Sequence, residues 1–268
     1  MKELSILIPS RSEKYLQQTI EDIKKNSTAD TEILLGLDGK DNEVPPITGF
    51  NLYKSEEPIG QRAMTNRLAK LSTAKYIMKL DAHCAFPKGF DRILLESMDD
   101  NTVMTPMLCR LDAKEWNIIS HPFTKKYYFD TNIVFQYGKK EDEENDWGLV
   151  ETMSLQGSCF IVSRLKYWEW NLVAEEFGSW GCSGGEIATK TWLNGGRVVT
   201  NTDTFYGHLF RGAGQNVEEI PYVRPKNEID HAYNSFRKFL QENKEGFRKI
   251  LIKFNWPCGW TEEILKDL

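Results

Sequence analysis

Residues 76–84 read Tyr-Ile-Met-Lys-Leu-Asp-Ala-His-Cys, a short apolar run that stops abruptly at Asp81-Ala82-His83. A run of this length, closed by polar residues, predicts a buried strand. Side chains two apart on extended backbone share a face, so the Asp81 carboxylate and the His83 imidazole point the same way at the strand's tip. Oxygen and imidazole together suit a divalent cation, Mn2+ first and Mg2+ second, and leave positions open for a ligand. Such an ion stabilises negative charge growing on a leaving group. A hydrogen-bonded structural histidine is the plainer reading of the same triplet.

The residues upstream place that strand in a sheet. Leu4 to Pro9 is an apolar run that ends at Ser10-Arg11, and Glu13 to Lys25 follows with helical spacing at Leu16, Ile20 and Ile23. Thr31 to Leu37 predicts a second strand closed by Asp38-Gly39, Phe50 to Lys54 a third, and Ile59 to Leu71 a helix whose polar face carries Arg62 and Asn66. Alternating strands and helices predict an α/β fold with a mostly parallel central sheet flanked by helices. In such sheets ligands bind beyond the carboxyl ends of the strands, so Ser10-Arg11, Asp38 and Asp81 point to one crevice.

Downstream the pattern changes. Asp112 to Glu151 is rich in aromatic and charged residues, with an acidic run at Glu141 to Glu144. It predicts a long insertion on the acceptor side of the crevice, or a solvated loop. Thr152 to Val162 reads as a strand with Gly157 inside it, and Gly185 to Leu193 as a helix closed by Gly195-Gly196. Arg197 to Asn201 predicts another strand, leading to His208-Leu209-Phe210-Arg211. Residues 212–268 add helical patterns around 230–240 and 244–254 and an aromatic tail with Trp256 and Trp260, predicting an extension packed on residues 1–211.

Composition narrows the class. With 40% hydrophobic and 27% charged residues the chain reads as an ordinary globular protein. Its apolar runs fall far short of the roughly 20 residues of a membrane span. Met1 runs straight into a strand without a signal-peptide core, so a cytoplasmic location is expected, the host cytoplasm if the source is viral. The five cysteines form no CxxC pair and read as reduced thiols. A net charge of -5 weighs against a protein devoted to nucleic acid.

Two motifs resemble a known family. Residues 76–84 look like the metal strand of polypeptide N-acetylgalactosaminyltransferases, with Asp-x-His followed by Cys. Trp180-Gly181, Glu186, Trp192, Gly195-Gly196 and Gly207-His208-Leu209-Phe210-Arg211 resemble, in order, a second block of that family. Family 2 transferases of the GT-A fold share the wider frame: the Ile8-Pro9-Ser10-Arg11-Ser12-Glu13 start, Asp38, and Arg62-x-x-x-Asn66.

The resemblance implies a GT-A glycosyltransferase domain over residues 1–211, with His208 as third metal ligand beside Asp81 and His83. It implies transfer from a nucleotide-sugar donor, a UDP-sugar first, to a hydroxyl acceptor, with Pro9, Asp38, Asn66, Gln156 and Gly157 on the donor side. Arg11, Arg62 and Arg211 suit diphosphate, because guanidinium forks match phosphate oxygens, or else are plain salt bridges. Trp180 covers the donor or is a core aromatic.

The relatives carry Gly-Glu-Asn after Trp-Gly where this chain has Cys182-Ser183-Gly184. Glu186 is then the nearest carboxylate for a catalytic base, with a structural role at the helix N-terminus competing. The motif set also resembles viral family 2 transferases, for which a hydroxymethylated DNA base is one acceptor. A protein or polysaccharide hydroxyl is another. A catalytically weak nucleotide-sugar or glycan-binding module is the reading from a different class. No obligate protein partner and no membrane span are expected.

Overall fold

A computed structural model describes residues 2–40, 42–139, 145–210 and 225–268. Its centre is a parallel set of strands: β1 (Leu4–Ser10) lies between β2 (Thr31–Asp38) and β4 (Tyr76–Leu80), with β3 (Asn51–Ser55) outside β2. Every residue of β1 and β4 is buried, as expected for strands covered on both faces. Alternate side chains feed two layers. Leu4, Ile6 and Ile8 pack with Leu16, Ile20 and Ile23 of α1 (Leu16–Asn26), while Leu7, Leu34 and Ile77 pack with Met64 and Leu68 of α2 (Gln61–Leu71). Fully burying each such side chain contributes about 1.5–3 kcal/mol, so the helical spacing is what fastens each helix to its face.

The other half of the sheet keeps a parallel pairing but adds antiparallel ones to the mostly parallel arrangement expected. The order is β10-β12-β6-β11-β4-β1-β2-β3, where β6 is Thr102–Asp112, β10 is Leu149–Glu151, β11 is Cys159–Ser163 and β12 is Arg197–His208. β11 runs antiparallel to both β4 and β6, and β10 antiparallel to β12. Between β6 and β11 the described chain makes only strands, and without a crossover helix a strand returns antiparallel. β6 has no counterpart in the sequence reading because Pro106 interrupts it. Proline cannot donate to a ladder, and the β12 register shifts just after the Asn201–Pro106 pair.

The predicted insertion is partly built into the sheet. β7 (Asn117–Thr124) folds back on β6, and β8 (Tyr127–Phe129) pairs with β9 (Phe135–Tyr137) as a separate ribbon. The acidic run Glu141 to Glu144 lies outside the described residues. The predicted strand from Thr152 forms only from Cys159, since Ser154 N–H instead bonds the Tyr127 carbonyl at 2.9 Å.

One short pairing matters most for function. β5 (Cys84–Ala85) lies antiparallel on the end of β12, with His208 opposite Cys84, which brings a histidine from late in the chain beside Asp81 and His83. At the C-terminus, α6 (Lys226–Glu242), α7 (Lys244–Lys253) and α8 (Glu262–Asp267) share a core with β8, in which Phe236, Phe247 and Trp260 surround Phe129. The Trp260 indole N–H donates to the Phe129 carbonyl at 3.0 Å. Among the described residues no helix is long and apolar enough to cross a membrane.

Candidate metal and nucleotide site

Asp81 sits one residue past β4, and its backbone N–H donates to Ser158 O at 2.8 Å, which fixes the turn out of the sheet. Its two carboxylate oxygens face different neighbours. Oδ1 accepts from Gln61 Nε2 at 3.0 Å and from the Lys79 ammonium, while Oδ2 lies 3.3 Å from His208 Nε2 and 4.0 Å from His83 Nε2. The two imidazole Nε2 atoms are 3.1 Å apart. One ligand atom from each of the three residues falls within 4.8 Å of the others.

Charge and burial prepare these groups for a cation. Burial opposes the Asp81 charge, but the Lys79 ammonium, the His208 N–H and the neighbouring imidazoles outweigh it and hold the carboxyl well below the usual range. Burial lowers His208 to about 4, against the hydrogen bond it gives to Asp81, so its imidazole is neutral near pH 7 and keeps a lone pair on one ring nitrogen. Burial also pushes the Cys84 and Cys159 thiols up, which removes thiolates from the ligand set. Two imidazole nitrogens and one carboxylate oxygen fit a borderline divalent cation such as Mn2+. For both Nε2 atoms to hold a shared cation, each imidazole must carry its proton on Nδ1, leaving the two facing lone pairs free.

The trio opens on a cavity of about 610 Å3, which Pro9, Arg11, Asp38, Gln156 and Trp180 also line. A second cavity of about 230 Å3 adjoins it, and Gln61, Asp81, Gln156 and Trp180 line both. Gly157 belongs to the smaller cavity, where its carbonyl accepts from Lys79 Nζ at 2.8 Å. Gly184 lines the same space, and a Cβ there would fall 1.9 Å from Leu155 O, so only glycine lets the helix backbone approach the segment leading into β11. Asp38 faces the larger cavity, but Ile59 N–H and Gly60 N–H donate to its carboxylate at 2.6 and 3.1 Å, so it also pins the start of α2.

Three expected site residues stand elsewhere. Glu186 is 0% exposed on α5 (Ser183–Leu193) and lines neither cavity. Arg62 pairs with one of its oxygens, and Lys190 Nζ and the Ala174 N–H donate to the other at 2.6 and 2.9 Å. With two cations and an amide on its oxygens and neither cavity reaching it, Glu186 ties α2 to α5 in this structure. Arg62 is spent in the same knot, where it also donates to the Gly181 carbonyl, and lines neither cavity. Asn66 bonds Val173 O, Glu175 and the Tyr167 hydroxyl, which ties α2 to α5's neighbourhood rather than to the donor. Arg211 lies outside the described residues.

Lys79 and Gln61, which orient Asp81, went unread in the sequence. The signal for Lys79 was present: a lysine in an otherwise apolar strand, on the same face as Asp81, needs a buried partner. Gln61 gave none, since a glutamine opening a helix is ordinary.

Known proteins resemble this chain in sequence and fold. The model of the family described as glycosyl transferase family 2 matches residues 5–170. Polypeptide N-acetylgalactosaminyltransferase 4 of Mus musculus is 25% identical over 198 residues, covering 67% of this chain and 31% of that protein. Polypeptide N-acetylgalactosaminyltransferase 10 of Homo sapiens is 24% identical over 249 residues, covering 82% of this chain and 39% of that one. This chain thus spans about a third of the length of these relatives. The crystal structure of GalNAc-T7 with UDP, GalNAc and Mn2+ is similar with a TM-score of 0.75 over 90% of this chain and 48% of that one, at 17% identity, which shows the fold to be GT-A. With the family model matching well over half of its residues, the chain belongs to glycosyl transferase family 2.

Proposed function

We propose that this protein transfers a sugar from a nucleotide-diphosphate donor, a UDP-sugar, to a hydroxyl acceptor, using a divalent cation held by Asp81, His83 and His208. The observation that carries this reading is the convergence of those three side chains at the mouth of a cavity in a family 2 fold. When bound, Mn2+ supplies a Lewis acid that offsets the charge gathering on the departing nucleoside diphosphate.

The chain's own residues do the rest. Lys79 and Gln61 occupy Oδ1 of Asp81, which leaves Oδ2 turned toward the imidazoles. The larger cavity receives the nucleotide along Pro9, Arg11 and Asp38, with the Arg11 guanidinium for phosphate oxygens. Gln156 and Trp180, shared by both cavities, mark the passage toward the smaller one, which takes the sugar beside Gly157. Glu186 has no part in this scheme beyond holding α5 to α2.

For the acceptor, likeness to polypeptide transferases supports a hydroxyl on a polypeptide over a modified DNA base, and the net charge of -5 weighs the same way. A sugar-binding module without catalysis has little use for a diphosphate-facing cation trio. The test is a panel of nucleotide sugars assayed for release of nucleoside diphosphate with and without Mn2+. Mn2+-dependent release that Asp81→Ala abolishes supports the proposal. Binding without any release, in the presence of polypeptide acceptors, contradicts it.

A further inference from the structure

The two histidines of the trio are not equally supported. Around His208, Nδ1 is buried and has no hydrogen-bond partner among the described residues. Around His83, Nδ1 lies 3.2 Å from Oε2 of Glu13, and the two side chains are only 10% and 6% exposed. A neutral imidazole carries one N–H, and the hydrogen bond at one ring nitrogen decides which nitrogen keeps the lone pair. A carboxylate at Nδ1 holds the proton there. Nε2, which faces Asp81 and His208, is then left as the ligand atom.

We infer that Glu13 is a positioning residue for the cation site: it fixes the tautomer and ring orientation of His83. This inference rests on the proposed cation site. The loop that carries Glu13 is itself held in place. Ser12 adopts a left-handed φ of 53°, and its N–H donates to Asn42 Oδ1 at 2.5 Å. The Asn42 amide in turn donates to the carbonyls of Asp38 and Gly39 at 2.9 and 2.8 Å. Glu13 therefore reaches His83 from a clamped loop rather than from a free helix end. Groups in this outer position typically change metal affinity by roughly 10- to 100-fold when removed.

Two measurements test the inference. Nitrogen-15 NMR of the metal-free wild-type protein reads the His83 tautomer, and needs no variant to fold. Calorimetric titration with Mn2+ compares wild type, Glu13→Ala and Glu13→Gln, with thermal melting as the check on folding. The expected results are an Nδ1–H tautomer at His83, a loss of roughly 10- to 100-fold in Mn2+ affinity for Glu13→Ala, and a smaller loss for Glu13→Gln, whose amide oxygen still accepts from Nδ1–H. An Nε2–H tautomer in the wild type overturns the inference. So does a folded Glu13→Ala protein that binds Mn2+ as the wild type does. Failure of the cation reading itself looks different, because Mn2+ affinity would then be unmoved by Asp81→Ala as well.

Discussion

Asp81 and Glu186 are both carboxylates held by buried cations, yet only one of them faces a cavity. Lys79 and Gln61 meet a single oxygen of Asp81, so the other stays turned toward His83 and His208. Glu186 has Arg62 on one oxygen and Lys190 with Ala174 N–H on the other. The first arrangement leaves a charge with unused lone pairs at a solvent-accessible edge, which is what binding a cation needs. The second holds the charge inside the protein, where it joins α2 to α5 away from both cavities. Burial and lone-pair use, rather than residue type, separate the ligand from the fastener.

The largest effect expected from that contrast is on stability. Glu186→Ala leaves Arg62 and Lys190 buried without their partner, and breaking a buried pair in this way costs about 3–5 kcal/mol, read by denaturant unfolding. Whatever remains folded should bind Mn2+ as the wild type does. An unfolding midpoint unchanged by Glu186→Ala would break the comparison at its structural end.

Asp81→Asn is the mirror case. Its fold should survive, because the amide still accepts from Lys79 and Gln61, while Mn2+-dependent release of nucleoside diphosphate falls by about a thousandfold, the several kcal/mol that a Lewis-acid ion supplies. Steady-state assay against thermal melting separates the two. Adding ligand sharpens the point: Mn2+ and UDP together, at about 100 times their Kd, should stabilise the wild type by about 2.7 kcal/mol, and Asp81→Asn should forfeit this. The smallest effect belongs to an ion pair of the same chemistry at the surface. Arg248 and Glu262 pair in solvent, and Arg248→Ala should leave the melting temperature where it is, because water already solvates both ions.

The contrast also explains what was legible in the sequence. The parallel half of the sheet could be read because its strands are continuous apolar runs separated by helices with Leu16, Ile20 and Ile23 on one side. Asp81 and His83 could be read because they end such a run. His208 entered through a motif resemblance, since its approach depends on the β5 to β12 pairing, which no local pattern announces. The mixed half stayed hidden: Pro106 masks β6, and strand direction is a property of connections rather than of residues. The two roles of Glu186 stayed open in the sequence for a related reason. Its partners Arg62 and Ala174 come from other parts of the chain, and only the assembled core shows that its oxygens are taken.

The central claim is that both imidazoles and the Asp81 carboxylate share one cation. Electron spin-echo spectroscopy of Mn2+ bound together with UDP measures this directly, because a coordinated imidazole couples its nitrogen to the manganese electrons. The expected spectrum contains nitrogen couplings from two imidazoles, one lost in His83→Ala and the other in His208→Ala. A bound Mn2+ with no nitrogen coupling, or with couplings that neither substitution removes, would contradict the claim.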